Sequence, residues 1–174
     1  MNSSYIPTPQ ALVNKQAIIN VINKDNRSFM YAILSALHPA KRDTERPKQY
    51  ELHEKLYNWI NIEYPTTINN ICLFEKDNPL ISINVFKYEN GLITVKLITE
   101  EKKHHINLLV LFDGDKKHFT WIKNFSALIA KDHSNHHGKL YPCFLCLHIC
   151  SSQQVLTKHT EKCKKKSTNN LIIN

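Results

Sequence analysis

Residues 141–163 read YPCFLCLHICSSQQVLTKHTEKC. Two residues separate Cys143 from Cys146, a spacing that lets one tight turn aim both thiolates at a single ion. Twelve residues then precede His159, and three more precede Cys163. The pattern Cys-x2-Cys-x12-His-x3-Cys is that of a ββα zinc finger whose last histidine is replaced by cysteine. His159 and Cys163 lie one helical turn apart, so a short helix presents both to the ion from one side. Tyr141, Cys150 and Leu156 supply the apolar framework. A unit of roughly 25 residues cannot fold on burial alone, so Zn2+ is expected to carry much of its stability. Its removal is expected to unfold this lobe and leave the rest standing.

The other histidine and cysteines around the motif have simpler readings. Four of the five cysteines fall between Cys143 and Cys163, and no secretory signal precedes them. We therefore expect a reducing, intracellular setting and metal binding rather than disulfides. Cys150 takes a core position where such fingers usually carry Phe, with a role as alternative ligand the competing reading. His148 is expected to face solvent, and Cys72, alone in an apolar context, to be buried.

Outward from the finger, charge is uneven. The formal net charge is +8, and from Lys139 onward six lysines stand against one glutamate, leaving +5 on that end. Lys158, Lys162, Lys164, Lys165 and Lys166 beside a finger helix suggest phosphate contact; a solvated tail is the plainer alternative. Finger geometry turns Ser152, Gln154, Val155 and Lys158 outward, and of these only Gln154 and Lys158 suit base or phosphate contacts. One finger covers about 3 base pairs, so any DNA binding is expected to be weak and non-specific. Protein is the other ligand class for such a finger.

The preceding chain reads as an α+β domain with an antiparallel-rich sheet and two or three helices. Residues 1–15, with two prolines, are expected as a loose arm, 16–131 as the domain, 132–140 as a linker and 164–174 as a basic tail. Residues 16–23 (QAIINVIN) read as a strand, and 24–27 as a break with capping chemistry. Ser28 to Leu37 reads as a buried helix ended by His38-Pro39. Pro47 suits the first turn of a second helix reaching about Ile60, with Leu52, Leu56, Trp59 and Ile60 on one face and Glu51 paired to Lys55. Beyond it the chain reads as strand-rich. Residues 80–89 alternate, Asn90-Gly91 signals a hairpin returning through 92–99, and 105–112 (HINLLVLF) is apolar enough for the central strand. Asp113-Gly114-Asp115 turns into a strand over 118–123, and 124–130 reads as a short helix. His133, His136 and His137 in the linker offer a second metal site only if something holds them rigidly.

One catalytic constellation bears weighing. Ser28 opens a buried helix and His118 opens a late strand, as a papain-like nucleophile and base would, with Asn124 or Asp113 to orient the base. A serine gains less from a helix end than a cysteine, so Ser28 as a cap and His118 as a packed ring beside Trp121 is the plainer reading. No phosphate-cradling loop, Gly-x-Ser-x-Gly elbow or His-Glu-x-x-His motif is present.

Taken in order, several short matches resemble one family. They are Asp25-Asn26 and Phe29, Ala36-Leu37-His38-Pro39, Glu75-Lys76, Asn78-Pro79, Ile81-Ser82 and Asn84-Val85-Phe86. His105-Ile106-Asn107-Leu108-Leu109, His118, Trp121-Ile122-Lys123-Asn124, His136, Gly138-Lys139 and the finger through Cys163 complete the series. The chain resembles the region preceding the exonuclease domain in protein-primed family B DNA polymerases of Polinton (Maverick) transposons and their animal-genome relatives. The resemblance spans roughly residues 5–163 and implies a nuclear accessory module, beside polymerase domains, that cannot itself copy DNA. Two departures stand out: the family usually has a cysteine where this chain has Ser28, and a phenylalanine where it has Cys150. The first implies a degenerate cysteine-peptidase pair, inactive here.

Overall fold

The structure is a computed structural model that describes residues 3–133 and 138–170. A five-stranded sheet forms its centre, in the order β1 (Ile18–Ile19), β5 (Lys116–Ile122), β4 (His104–Asp113), β2 (Ile81–Tyr88), β3 (Leu92–Lys96). Among the described residues of this sheet, β2–β4 is the one parallel pair and the other pairings are antiparallel. The class is α+β, as expected. The apolar run in β4 is central because both of its faces are covered. Ile106, Leu108 and Val110 meet α2 (Ser28–Leu37) and α4 (Ile68–Asp77) on one side, in a core with Phe29, Ile33, Ile71 and Phe74. Leu109 and Leu111 point the other way, to Ile6, Leu12 and α5 (Phe125–His133). Asn90 adopts φ +55° in the predicted hairpin, a value its short polar side chain tolerates.

Several expectations are corrected. The helix from Pro47 to Ile60 does not form: α3 covers Lys48–Glu51, a 3-10 turn covers Glu54–Leu56, and Tyr57 is extended. Leu52, Leu56 and Ile60 are exposed at 71%, 64% and 81%, so the expected apolar face buries nothing. The anchors are instead Tyr50, fully buried with its hydroxyl on Thr44 O, and Trp59, whose indole donates to Glu54 O at 2.8 Å. That indole takes a carbonyl that a continuing helix would have used. Glu51 and Lys55 lose their helical spacing with it, and the ion pair formed nearby is Arg27–Glu54.

The second correction is α4, which occupies a stretch expected to be strand. Its start carries a capping box: Thr67 Oγ1 accepts from Asn70 N while Asn70 Oδ1 accepts from Thr67 N. Cys72, expected to be buried, is exposed, because its neighbours Ile71 and Phe74 take the core face of this helix. The strand expected over 16–23 forms a ladder only at Ile18–Ile19. Beyond it, Ile22 N bonds to Glu45 O and the Asn20 and Asn23 side chains take over the bonding. The α2 start has no side-chain cap of its own; Asp25 Oδ1 accepts from Arg27 N instead.

The segment expected as a loose arm is laid onto the domain. Ile6 and Leu12 are buried, and α1 (Gln10–Val13) lies in this stretch. Asn124 caps α5, its Oδ1 accepting from Ala127 N at 3.0 Å. His136 and His137 lie outside the described residues, and of His133 only the backbone, in α5, is described. No helix among the described residues is long and apolar enough to cross a membrane.

Candidate metal centre

Residues 141–163 fold as ββα: β6 (Tyr141–Pro142) pairs antiparallel with β7 (Ile149–Cys150), and α6 (Gln153–Asn170) follows. The turn between the strands is tight. Cys143 N bonds to His148 O at 2.9 Å, while Cys146 N and Leu147 N both turn back to Cys143 O, at 3.3 and 2.6 Å. Closing that turn puts Leu147 at φ +63°, a left-handed value that side chains rarely adopt. Ser152 begins α6, its Oγ accepting from Val155 N at 3.2 Å. The helix then brings His159 and Cys163 round to the turn on successive coils.

The ligand atoms of Cys143, Cys146, His159 and Cys163 all lie within 4.8 Å of one another. Cys146 Sγ and His159 Nε2 are 3.2 Å apart. Around a tetrahedral ion with bonds of about 2.0–2.3 Å, ligand atoms stand roughly 3.3–3.8 Å from each other, so the cluster fits such an ion. Left to itself, Cys163 favours the neutral thiol. Burial, then the neighbouring Cys146 and Cys143 thiols, push the Cys163 thiol up to about 11. A divalent cation reverses that direction by binding the thiolates outright.

His148, Cys150 and His159 form a second, three-donor group that shares His159. His148 is exposed and stacks on His159 at 4.9 Å, and Cys150 is buried, the burial holding its thiol above the usual range. Both residues sit as expected. The four-donor set is the one that completes a tetrahedral shell.

The knuckle is seated on the sheet, a relationship with no signature in the sequence. Phe144, between the two knuckle cysteines, stacks on the His105 ring at 4.8 Å and meets Phe125 edge-on at 5.4 Å. Asn84 Nδ2 donates to Phe144 O at 2.9 Å. Cys143 and Leu145 are buried against Ile98. His105 is held at both nitrogens, by Ser82 Oγ and Asn107 Oδ1, each at 2.9 Å. Burial drives its pKa down to about 4, so it is neutral in the folded protein.

On the outer side of α6, Gln154, Val155, Lys158, Lys162, Lys164 and Lys166 are exposed. The helix runs on past Cys163, so these lysines project from a helix rather than from an unstructured tail. Lys164 already faces the carboxylate of Glu100, which it helps Lys102 to hold below its usual range. Lys165 has its backbone in α6.

The catalytic candidates are only partly gathered. Ser28 Oγ accepts from Phe119 N at 3.1 Å, one residue along from His118, and both Ser28 and His118 are buried. The Ser28 and His118 side chains do not hydrogen-bond to each other. His118 is oriented by Asn20, 2.6 Å from its Nε2, not by Asn124, which caps α5, nor by Asp113, which lies opposite Lys116 at the strand ends. His118 and Trp121 fall on opposite faces of β5. No protein-family model, curated protein or solved structure matches this chain.

Proposed function

We propose that the protein is a zinc-stabilised accessory module that lies against nucleic acid without acting on it. The observation that carries this reading is the convergence of three thiols and one imidazole within 4.8 Å. Soft thiolates with one imidazole in a closed tetrahedron suit Zn2+ and leave no open position for substrate, which makes the site structural rather than catalytic. A metal so placed fixes α6 against the sheet. That presents Lys158 and Lys162 on a rigid helix face, with Gln154 a turn earlier.

The nucleic-acid assignment rests on this charge distribution and on the ordered resemblance to the region that precedes the exonuclease domain in Polinton-type polymerases. In that reading the module works in the nucleus beside polymerase domains and holds the phosphate backbone without reading bases. The test has two arms. Elemental analysis of the full chain, purified without added metal, is expected to return one zinc per chain. Mobility shifts with unrelated duplexes are expected to show weak, sequence-indifferent binding that salt abolishes. Metal-loaded protein that leaves all DNA unshifted at low salt overturns the nucleic-acid part and turns the α6 face into a protein-docking surface.

A further inference from the structure

Beside the four-donor shell lies a second set of ligands, two of which the shell does not use. His148 and Cys150 stand two residues apart at β7, so their side chains leave the same face of that strand. Both reach His159 on α6: one donor atom from each of the three lies within 4.8 Å of the others. The His148 and His159 rings stack at 4.9 Å, 21° from parallel. His148 is exposed, His159 half-buried and Cys150 buried, so the set runs from solvent to the interior. Cys150 is only 4% exposed, yet the apolar cluster at this end of the knuckle is built from Ile98, Cys143 and Leu145 with Leu156 and Cys163. The Cys150 sulfur faces two imidazoles instead.

The chemistry of these three donors selects an ion. One thiolate and two imidazoles suit zinc and copper alike by softness. The number of donors separates the two. Structural zinc closes its shell with four protein ligands, and no fourth His, Cys, Asp or Glu among the described residues joins this set. Cu(I) is soft and closes with two or three donors, so it needs no fourth. His159 belongs to both sets. Its Nε2 stands 3.2 Å from Cys146 Sγ, inside the zinc shell. A cation that His148 and Cys150 hold together with His159 therefore draws on a zinc ligand.

We propose that His148, Cys150 and His159 form a second metal position, for a soft, low-coordinate cation of the Cu(I) class, which competes with zinc for His159. On binding, the Cys150 S–H gives its proton to water, and the thiolate and two imidazoles close on the ion; no electron moves. Zinc keeps its three thiolates and loses its imidazole. Of the two residues by which α6 is tied to the metal, His159 and Cys163, one is then withdrawn. The consequence rests on the structural-zinc reading above: a soft cation loosens the helix that presents Lys158 and Lys162, and so acts as a regulator of that face.

The test titrates Cu(I), buffered by a competing chelator and kept from oxygen, into the zinc-loaded full chain. Zinc release is followed with a colorimetric indicator and the His148 ring by NMR. Wild type is expected to release zinc at the same free Cu(I) that moves the His148 signals. Cys150→Phe, which restores the side chain such fingers usually carry, is expected to keep one zinc per chain. It is expected to need at least about 10-fold more free Cu(I) for the same release, with His148 unmoved. Cys150→Ser and His148→Ala are expected to raise the requirement likewise, which keeps the comparison open should phenylalanine not fit. Equal release from wild type and all three variants means that Cu(I) attacks the zinc thiolates directly, and it overturns the proposal. So do His148 signals that stay still while copper binds, or a second equivalent of zinc taken up through Cys150. A chain that holds no zinc, yet whose His148 signals move with Cu(I) in wild type and not in Cys150→Ser, overturns the structural-zinc reading and retains the copper position.

Discussion

Asn84, fully buried on β2, donates its side-chain amide to the carbonyl of Phe144 in the metal-binding knuckle, while its Oδ1 accepts from Ile98 N at 2.8 Å. One side chain thus satisfies two backbone groups on two different segments. Asn84→Ala leaves both backbone groups without this partner, the Ile98 N–H in a buried setting. We expect a loss of about 2–4 kcal/mol, read as a shift in the urea midpoint at constant slope. A change below about 0.5 kcal/mol means that the knuckle does not depend on this contact.

Metal removal is expected to reach further than the finger. Taken as a sequence, residues 141–163 promise a small lobe that unfolds by itself. The structure instead sets Phe144 against His105 and Phe125, and Cys143 and Leu145 against Ile98. Chelation, or Cys163→Ser, is expected to move the NMR signals of His105 and Phe125 as well as those of α6, and to lower the melting temperature of the whole chain. Changes confined to residues 141–170 favour an autonomous lobe.

The pattern of what was legible in the sequence follows from which interactions are local. Ligand spacing is local, so the four metal donors and the ββα order were readable, as were Asn90-Gly91 and the doubly covered β4. The failures are tertiary. Leu52, Leu56 and Ile60 have helical spacing but meet no partner, and the chain there is anchored through Tyr50 and Trp59 instead. The start of α4 was signalled by Thr67 and Asn70, a box that uses Asn where Glu or Gln is usual. Asn20 as the partner of His118 had no sequence signature, because the contact joins residues 98 positions apart.

Acid is expected to weaken the fold before its carboxylates matter. Half-buried His105 and fully buried His118 are both neutral, desolvation being the main cause, and their pKa values fall from 6.5 to about 4. Below pH 6.5 the unfolded chain binds protons that the folded chain refuses, so stability is full above that pH and drains away as pH falls toward 4. For the fully buried His118 the loss is on the order of 3 kcal/mol. Urea melts between about pH 7 and 4.5 check the direction. Because protonation also releases the metal, the decisive comparison is metal-free wild type against metal-free His118→Gln, which is expected to show the shallower slope.

Lys158 and Lys162 provide the sharpest test of the nucleic-acid reading, since α6 holds them exposed one turn apart while Lys164 is already turned toward Glu100. A lysine that neutralises one phosphate releases about one counterion, so each contributes close to one unit to the slope of log affinity against log salt. Lys158→Ala with Lys162→Ala is therefore expected to reduce that slope by about 2 and to weaken binding equally on every duplex. Lys164→Ala is expected to reduce it by less than one. Fluorescence anisotropy from about 50 to 200 mM salt on two unrelated sequences measures all three quantities. A loss that differs between the two sequences points to base readout by Gln154; an unchanged slope removes α6 from the interface altogether.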